Sequence, residues 1–321
     1  MKYRQLGRSA LKVSELCLGT MNFGPRTSKE DSFAILNNAV SAGINFVDTA
    51  NQYGGSLGVG TTEKIIGSWL AEDLSRRDNL VLATKVYEPM SDDINDRGLS
   101  ARHIQSACEA SLQRLGVDCI DLYQMHHLDR VAPVEEIWQA MDRLVEQGKI
   151  IYVGSSNFPG WKIAQTNEKA AARQRLGLVS EQSLYNLVER RVELEVLPAC
   201  AEYGVGVITW SPLAGGLLSG ADSSNEGRRK SDAVQKELQL RRHQLEQFHQ
   251  LCTELGETPA AVALSWNLAQ LGVTSVIVGP ADLPQLQSVL HVPELTLSAD
   301  VLERLDTIFP PCGAAPEAYA W

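Results

Sequence analysis

Short apolar runs alternate with longer amphipathic stretches along almost the whole chain. The runs are rich in β-branched residues, whereas apolar residues in the longer stretches recur every three or four positions. The first pattern is typical of buried strands, and the second is typical of helices that cover one face of a sheet. The predicted strands are 16–18, 44–47, 80–83, 119–123, 150–153, 178–180, 205–209 and 275–278.

The helices predicted between these strands carry ordinary start and stop signals. Ser100 precedes the helix at 101–115, and four of the helices, this one included, end just before Gly43, Gly116, Gly148 and Gly204. Serine is a good N-cap, and glycine accepts the left-handed conformation that ends many helices. The predicted helices are 30–42, 62–71, 101–115, 134–147, 160–172, 191–202, 259–269 and 283–290.

Eight consecutive strand–helix units predict a parallel sheet closed into a (β/α)8 TIM barrel. The competing open, doubly wound sheet needs fewer strands and usually has a glycine-rich first turn. Neither GxGxxG nor GxxxxGK[ST] occurs in the sequence, so the Rossmann and P-loop alternatives lose their main support. We therefore expect residues 1–321 to form one barrel domain.

Three segments depart from the even spacing of these units. Residues 1–15 predict an N-terminal β-hairpin that could plug the bottom of the barrel. The long interval 211–257, between the seventh and eighth strands, combines a Gly/Ser/Asn-rich loop at 215–227 with a charged helix at 233–255. Such a long loop inside a barrel is usually functional. The tail at 310–321 shows no periodicity and is expected to lie across the barrel or to be disordered.

Composition and charge narrow the classes of partner. The chain has 321 residues, of which 44% are hydrophobic and 21% charged, as in globular proteins with a sizeable core. The net charge of −10 disfavours nucleic acid and anionic membranes, although it is compatible with a local pocket for a small phosphate. No signal-peptide core and no membrane-length apolar run are present, and the six cysteines form no CxxC pair. We expect a cytoplasmic protein with reduced, mostly buried thiols.

Polar residues follow the carboxyl ends of successive predicted strands. The second strand leads to Asp48, the third to Lys85 and the fourth to His126, while Tyr53 lies in the loop after Asp48. Catalytic groups of TIM barrels come from these strand ends, which all open onto one mouth. Any one of these positions would be weak evidence, and their succession indicates a site.

These four residue types can together deliver a proton to an oxygen atom. A lysine ammonium within hydrogen-bond reach of a tyrosine favours the phenolate and lowers the tyrosine pKa. A carboxylate beside the lysine keeps it protonated and in place, and a histidine can orient or polarise a carbonyl group. A reduction would also need a hydride source, which no side chain supplies.

Each residue also has a simpler interpretation. Asp48 alone would more often be a helix N-cap, Lys85 a solvated or paired lysine, and Tyr53 a packing residue. A metal site at His126, His127 and Asp129 is disfavoured because adjacent residues on a strand point to opposite faces. A serine hydrolase is disfavoured because the sequence has no GxSxG elbow. An isomerase or aldolase that uses Lys85 as a Schiff-base amine would account for Lys85 but not for the other three residues.

The motifs around these residues resemble those of the aldo-keto reductase family over essentially the whole chain. GINFVDTANQYG at 43–54 and LATKV at 82–86 are similar to the family's Asp–Tyr and lysine segments. DLYQMHHLD at 121–129 resembles its histidine strand. Further similar segments are VGSSNF at 153–158, SEQSLYN at 180–186 and WSPLAGGLLSG at 210–220.

This resemblance implies reduction of aldehydes and some ketones to alcohols by hydride transfer from NADPH in a (β/α)8 barrel. Tyr53 would be the general acid, Lys85 and Asp48 would lower its pKa, and His126 rather than His127 would occupy the family's QxH position. We expect no metal site. The cofactor-binding residues would be Ser156, Asn157 and Gln182 at the nicotinamide amide, Trp210 against its ring, Ser211, Leu213 and Gly215 at the pyrophosphate, and Gln285 at the adenosine end.

The segment 276–290, which would hold the adenosine and its 2′-phosphate, departs from the family pattern. Ala281 and Gln285 stand where relatives often carry serine and then arginine or glutamine, and Ser288 and Val289 replace a Glu-Asn pair. The choice between NADPH and NADH is therefore open. The basic residues at 228–230 could supply the missing charge, or they could be a solvated run.

Two functional classes remain from the sequence. The first is an NADPH-dependent carbonyl reductase, and the second is a regulatory or sensor protein of the same fold, like the potassium-channel β-subunits that resemble this family. The sequence selects no physiological substrate among small aldehydes and ketones and no oligomeric state.

Overall fold

The computed structural model describes residues 1–220 and 231–316 of the chain. Ten strands lie in these segments: β1 Tyr3–Gln5, β2 Lys12–Ser14, β3 Leu16–Gly19, β4 Phe46–Asp48, β5 Val81–Val86, β6 Ile120–Met125, β7 Ile150–Ser156, β8 Leu178–Leu184, β9 Gly206–Trp210 and β10 Val273–Val278. The last eight pair in parallel as a closed barrel, in the order β10-β3-β4-β5-β6-β7-β8-β9. The predicted (β/α)8 fold is confirmed.

Eleven helices are found in the described segments, and most of them surround the barrel. They are α1 Lys29–Ser41, α2 Thr61–Glu72, α3 Ala101–Leu115, α4 Val134–Glu146, α5 Gly160–Ala171, α6 Val192–Glu202, α7 Asp232–Leu240, α8 Arg242–Leu255, α9 Pro259–Ala269, α10 Leu283–Gln287 and α11 Ala299–Ile308. The predicted caps are confirmed: the Ser100 side chain accepts from the His103 amide, and Gly116 ends α3 at a φ of 66°.

The N-terminal hairpin closes the bottom of the barrel, as expected. β1 and β2 pair antiparallel, and Leu6 in the turn between them is fully buried. Leu6 packs against barrel residues that include Phe46, Ala83 and Leu122. Gly7 approaches the backbone so closely that a Cβ there would lie 2.3 Å from the Val179 carbonyl oxygen. The hairpin therefore forms the floor on which the inward-facing side chains rest.

Several strands continue beyond the predicted apolar runs at their carboxyl ends. β5 reaches Val86 and β6 reaches Met125, because the backbone ladder carries on through polar positions such as Lys85, which pairs with Gln124. The apolar run of each of these strands ends before its backbone hydrogen bonds to the neighbouring strand do. The polar residues predicted to follow the strands are thus largely part of them.

A β-bulge in β8 changes which side chains face the barrel interior. Val153 pairs with Leu178 but the next residue, Gly154, pairs with Ser180, so Val179 is an extra residue. A Cβ on Gly154 would lie 2.5 Å from Ser180 Oγ and 3.1 Å from Gln124 Cγ, which places Ser180 on the inner face beside Gln124. Bulges of this kind re-aim side chains near functional sites. Gln182, two residues after Ser180, consequently points inward.

Two helix predictions need correction. The single helix expected at 233–255 is divided into α7 and α8, because Arg241 leaves helical backbone angles at φ −101° and ψ 15°. Helix α11 was not predicted, although Ser298 caps it and Leu305 lies buried on its inner side. The expected loop at 215–227 is described only to residue 220, and the basic residues 228–230 lie outside the described residues, as does the tail beyond residue 316.

No helix in the described segments is long and apolar enough to cross a membrane. All six cysteines lie in these segments and are free thiols, and four of them, Cys17, Cys108, Cys200 and Cys252, are buried.

Candidate active site

The candidate site lies one layer above the barrel floor. Phe46 and Ala83 belong to the apolar cluster inside the barrel, and Asp48 and Lys85 follow them by two residues on the same strands. Because side chains alternate along a strand, each pair shares one face. Asp48 and Lys85 therefore project inward above the apolar layer, where both are buried.

Lys85 and Asp48 form a buried ion pair. The Lys85 Nζ atom lies 2.5 Å from Asp48 Oδ2 and also donates to the Thr49 carbonyl oxygen at 2.9 Å. Burial alone would lower the pKa of Lys85, but the charges of Asp48 and of the Tyr53 phenolate outweigh burial and raise it above its usual value. The lysine is therefore a fixed cation in the barrel mouth.

Tyr53 reaches the same ammonium from the loop that follows β4. Lys85 Nζ donates to Tyr53 Oη at 3.4 Å, and it lies 5.2 Å from the centre of the tyrosine ring. The next residue, Gly54, adopts a φ of 155°, and a Cβ there would lie 1.9 Å from the Gly58 carbonyl oxygen. Only glycine fits this turn, which holds the tyrosine over the lysine.

Two glutamine amides complete the surroundings of Asp48. Its Oδ1 atom accepts from Gln124 Nε2 at 2.9 Å and from Gln182 Nε2 at 2.8 Å. Gln182 was predicted to bind cofactor, whereas Gln124 was not predicted as a site residue. The signal for Gln124 is its position near the carboxyl end of β6, where it pairs with Lys85 of β5. The carboxylate is thus held by one ammonium and two amides.

His126 stands beside Tyr53 in the barrel mouth. The two rings are 6.0 Å apart at an angle of 74°. Burial, the Lys85 ammonium and His127 lower the pKa of His126 to about 2. The imidazole is therefore neutral near neutral pH and carries one N–H donor and one acceptor.

The expectation that His126 and His127 point to opposite faces is wrong. β6 ends at Met125, so strand alternation no longer applies, and the two rings stack 4.9 Å apart at 15°. A Glu88 carboxylate oxygen lies 3.0 Å from His127 Nε2. Glu88, His126 and His127 each offer one possible metal-ligand atom, and these three atoms lie within 4.8 Å of one another. Nearly parallel rings direct their lone pairs side by side rather than toward one point, which is poor geometry for a shared metal ion.

Asp129, the third residue of the metal alternative, serves the neighbouring loop instead. Its carboxylate accepts from the backbone amides of Leu99, Val131 and Ala132. These hydrogen bonds lower the pKa of Asp129 despite its partial burial.

Ser156, Asn157 and Trp210 form a connected polar group at the ends of β7 and β9. Ser156 Oγ donates to the Gln182 carbonyl oxygen at 2.8 Å and accepts from Asn157 Nδ2 at 3.0 Å. Trp210 Nε1 donates to Asn157 Oδ1 at 3.1 Å. Asn157 Nδ2 also donates to the His126 carbonyl oxygen at 3.0 Å, which joins this group to the proton-handling residues.

The loop after β9 has a strained backbone at the predicted pyrophosphate positions. Ser211 and Ala214 have φ values of 54° and 49°, and Gly215 follows at 67°. Left-handed residues next to right-handed ones turn successive N–H groups toward a common concavity that suits anions, and Leu213 and Gly215 both lie in this turn. Asn186, which was not predicted, donates from its side chain to the Ser211 carbonyl oxygen at 3.0 Å and holds the turn.

Gln285 lies apart from these groups, at the segment after β10. Its Oε1 accepts from the Ala281 amide and its Nε2 donates to Asp282 Oδ2, both at 2.9 Å. Thr27 Oγ1 holds this segment through the Ala281 carbonyl oxygen at 2.8 Å. Because β10 pairs with β9, the segment follows the strand next to the one that bears the strained loop.

The comparisons with known proteins identify the family of the chain. The model of the Aldo/keto reductase family matches residues 15–309. The chain is 50% identical to the "Uncharacterized oxidoreductase YrpG" of Bacillus subtilis (strain 168) over 100% of both chains. It is 33% identical to a "Probable voltage-gated potassium channel subunit beta" of Arabidopsis thaliana, over 99% of this chain and 100% of the relative. It is also 33% identical to the "Versiconal hemiacetal acetate reductase" of Aspergillus parasiticus, over 84% and 86% of the two chains. The chain belongs to the aldo/keto reductase family.

Proposed function

We propose that this protein reduces aldehydes and some ketones to alcohols, with a reduced nicotinamide dinucleotide as hydride donor and Tyr53 as general acid. The observation that carries the proposal is the contact of one buried cation with two acidic groups. Lys85 Nζ lies 2.5 Å from Asp48 Oδ2 and 3.4 Å from Tyr53 Oη. This arrangement suits proton delivery from the tyrosine to a substrate oxygen.

The lysine favours the form of Tyr53 that remains after the proton has left. A phenolate beside an ammonium is stabilised by charge attraction, and the Lys85 ammonium is fully buried. Asp48 and the Thr49 carbonyl oxygen keep the ammonium in place. Lys85 thus acts on Tyr53 without having to move during the reaction.

His126 would orient the substrate. A neutral imidazole beside Tyr53 can donate one N–H to the carbonyl oxygen that receives the tyrosine proton. The low pKa of about 2 keeps the ring neutral, so it adds no second cation beside Lys85.

The residues present fit the nicotinamide end of the expected cofactor. Ser156, Asn157 and Gln182 supply hydroxyl and amide groups suited to a carboxamide, and Trp210 supplies a flat surface for a ring. The dinucleotide would supply the hydride when bound. NADPH is the expected form, with NADH as the alternative, and Ser211, Leu213, Gly215 and Gln285 would hold the remainder of the molecule.

The reaction class is supported by the relatives as well as by the site. One relative is a "Versiconal hemiacetal acetate reductase" and another is a "Putative aryl-alcohol dehydrogenase C977.14c" from Schizosaccharomyces pombe (strain 972 / ATCC 24843), 31% identical to this chain. The first name is that of a reductase and the second that of an alcohol dehydrogenase.

The second candidate is a cofactor-binding regulatory protein with little turnover. The potassium-channel relative, 33% identical over nearly the whole chain, favours it. The two candidates differ in the rate of hydride transfer, since a sensor need only bind the dinucleotide.

Deuterium transfer separates these candidates. The protein is incubated with a panel of small aliphatic and aryl aldehydes and with NADPH deuterated at C4 of the nicotinamide. A reductase gives multiple turnovers and places one deuterium on the alcohol carbon. Tight binding with less than one turnover across the panel would favour the regulatory candidate.

A further inference from the structure

Glu181 places a buried carboxylate behind the turn that carries Ser156 and Asn157. It is fully buried, and its Oε2 accepts from Ser155 Oγ. Its Oε1 accepts from the Phe158 amide at 3.1 Å and from Ser183 Oγ at 2.9 Å. Two of these donors, Ser155 and Phe158, flank the predicted nicotinamide ligands on either side.

The β8 bulge is the reason that the Glu181 side chain lies behind the turn. The extra residue Val179 brings Ser180 and Gln182 to the inner face, so Glu181 faces the helices outside the barrel. The backbone carbonyl oxygen of Gln182 accepts from Ser156 Oγ at 2.8 Å and from the Asn157 amide at 3.0 Å. Glu181 through its side chain and Gln182 through its backbone therefore both hydrogen-bond to the turn.

The turn needs this support because its central residue is strained. Asn157 has a φ of 60°, a left-handed conformation that costs energy for any side chain larger than glycine. Such conformations persist only where the surroundings fix them. In this conformation Asn157 contacts Trp210 Nε1, Ser156 Oγ and the His126 carbonyl oxygen. The strained backbone of Asn157 therefore helps to set the positions of the side chains proposed to hold the nicotinamide.

The charge on Glu181 is costly where it stands. Burial raises its pKa to about 7, against the opposing effect of its hydrogen bonds. Its neighbours Ser155 and Ser183 are uncharged, and the titratable group that faces it from α6 is the Cys200 thiol, whose own pKa is raised by burial and by Glu181. A glutamine would avoid the cost of the charge but could accept fewer hydrogen bonds than a carboxylate.

We propose that Glu181 is a positioning residue for the dinucleotide, whose carboxylate locks the 155–158 turn so that Ser156 and Asn157 face the nicotinamide. The identity of the ligand rests on the proposed function. Glu181 does not touch the ligand and acts through the turn.

The test compares three substitutions by the dissociation constants of NADPH and NADH, measured from quenching of tryptophan fluorescence at pH 6 and pH 8. Glu181→Ala removes all three acceptor contacts, and we expect binding at least tenfold weaker at both pH values. Glu181→Gln keeps the shape and part of the bonding, and we expect affinity about threefold to fivefold below that of the unmodified protein at pH 8. At pH 6, where Glu181 is protonated, Glu181→Gln and the unmodified protein should have equal dissociation constants.

Glu63→Gln is the matched control. Glu63 is also fully buried, and it accepts from Thr84 Oγ1 and Arg114 Nε at 2.6 Å on the outer side of the barrel. We expect this variant to lose stability without a change in either dissociation constant. If Glu181→Ala does not fold, Ser155→Ala, which removes one donor to the carboxylate, should weaken binding about threefold at pH 8.

The outcomes separate this inference from the proposed function. If the unmodified protein binds neither dinucleotide, both the proposed function and the role of Glu181 fail. If it binds one of them and Glu181→Ala, or Ser155→Ala in its place, binds equally well, only the role of Glu181 is overturned. A pH dependence that persists unchanged in Glu181→Gln would also overturn it.

Discussion

Lys85 and Asp48 share a hydrogen bond of 2.5 Å inside the barrel, where the exposed fractions of their side chains are 0% and 3%. Removing one member of such a pair leaves an uncompensated buried charge, which typically destabilises a protein by about 3–5 kcal/mol. The pair also determines whether the lysine stays charged, because burial alone would lower the pKa of Lys85. Stability and chemistry at this site therefore depend on the same contact.

Asp48→Asn should reduce both stability and turnover. Without the carboxylate, the pKa of Lys85 falls and the ammonium is no longer held beside Tyr53, so we expect kcat to drop by at least about 100-fold. Denaturant titration and steady-state kinetics measure the two effects. Asp142→Asn is the control, since Asp142 is nearly buried but pairs with Arg173 outside the barrel, and its kcat should stay normal. Normal kcat in Asp48→Asn would contradict the role of the pair.

Gln124 and Gln182 give a matched pair of substitutions on one carboxylate oxygen. Both donate to Asp48 Oδ1, but only Gln182 belongs to the proposed cofactor group. We expect Gln124→Leu to lower kcat about threefold to tenfold with an unchanged dissociation constant for NADPH. Gln182→Leu should lower kcat and also weaken NADPH binding. Equal changes in the NADPH dissociation constant in the two variants would contradict this difference between Gln124 and Gln182.

His126 should not control the pH dependence of turnover between pH 6 and 9. Its pKa of about 2 leaves the ring neutral over this whole range. We expect His126→Gln to lower kcat about tenfold while the shape of the profile at saturating NADPH stays the same. Loss of an ionisation near pH 6.5 in the variant would show that the ring does titrate.

The same low pKa predicts a loss of stability in acid. Because the folded protein holds the pKa of His126 below its ordinary value of 6.5, unfolding becomes easier as pH falls below that value and the unfolded chain binds a proton. His126→Gln should remove part of this dependence. Urea titrations of both proteins at pH 5 and pH 7.5 measure the difference.

Asp282 should weaken discrimination in favour of NADPH. Its carboxylate occupies the Gln285 amide group and lies in the segment expected to meet the 2′-phosphate. We expect Asp282→Asn to raise NADPH affinity about threefold, with no change for NADH, because the carboxylate is exposed and screened by salt. Asp73→Asn, which alters an exposed cap at the other end of the barrel, should change neither affinity. Equal gains for both dinucleotides would contradict this account.

Much of the site follows from the sequence because the barrel converts strand order into position. Asp48 and Lys85 lie at the carboxyl ends of neighbouring strands and Tyr53 follows in the loop after β4, so their convergence at one mouth of the barrel could be expected. The floor under them could also be expected, since a hairpin before the first strand has few other places to pack.

What the sequence did not reveal depends on local irregularities. The bulge at Val179 turns Gln182 inward and Glu181 outward. The amino-acid sequence of β8 does not show that one of its residues is skipped in the pairing with β7. The end of β6 at Met125 places His126 and His127 side by side, contrary to the alternation rule. The break at Arg241 is likewise one residue within an otherwise continuous helical period.

The central claim is that Tyr53 donates the proton while other residues hold the cofactor. Tyr53→Phe removes one oxygen atom, whereas Ser156, Asn157 and Trp210 are joined by hydrogen bonds to one another and to the Gln182 carbonyl oxygen. The decisive measurement is the dissociation constant of NADPH together with kcat for a reactive aldehyde in this variant. We predict an unchanged dissociation constant and a kcat reduced at least about 1,000-fold. Full turnover with intact binding would contradict the account.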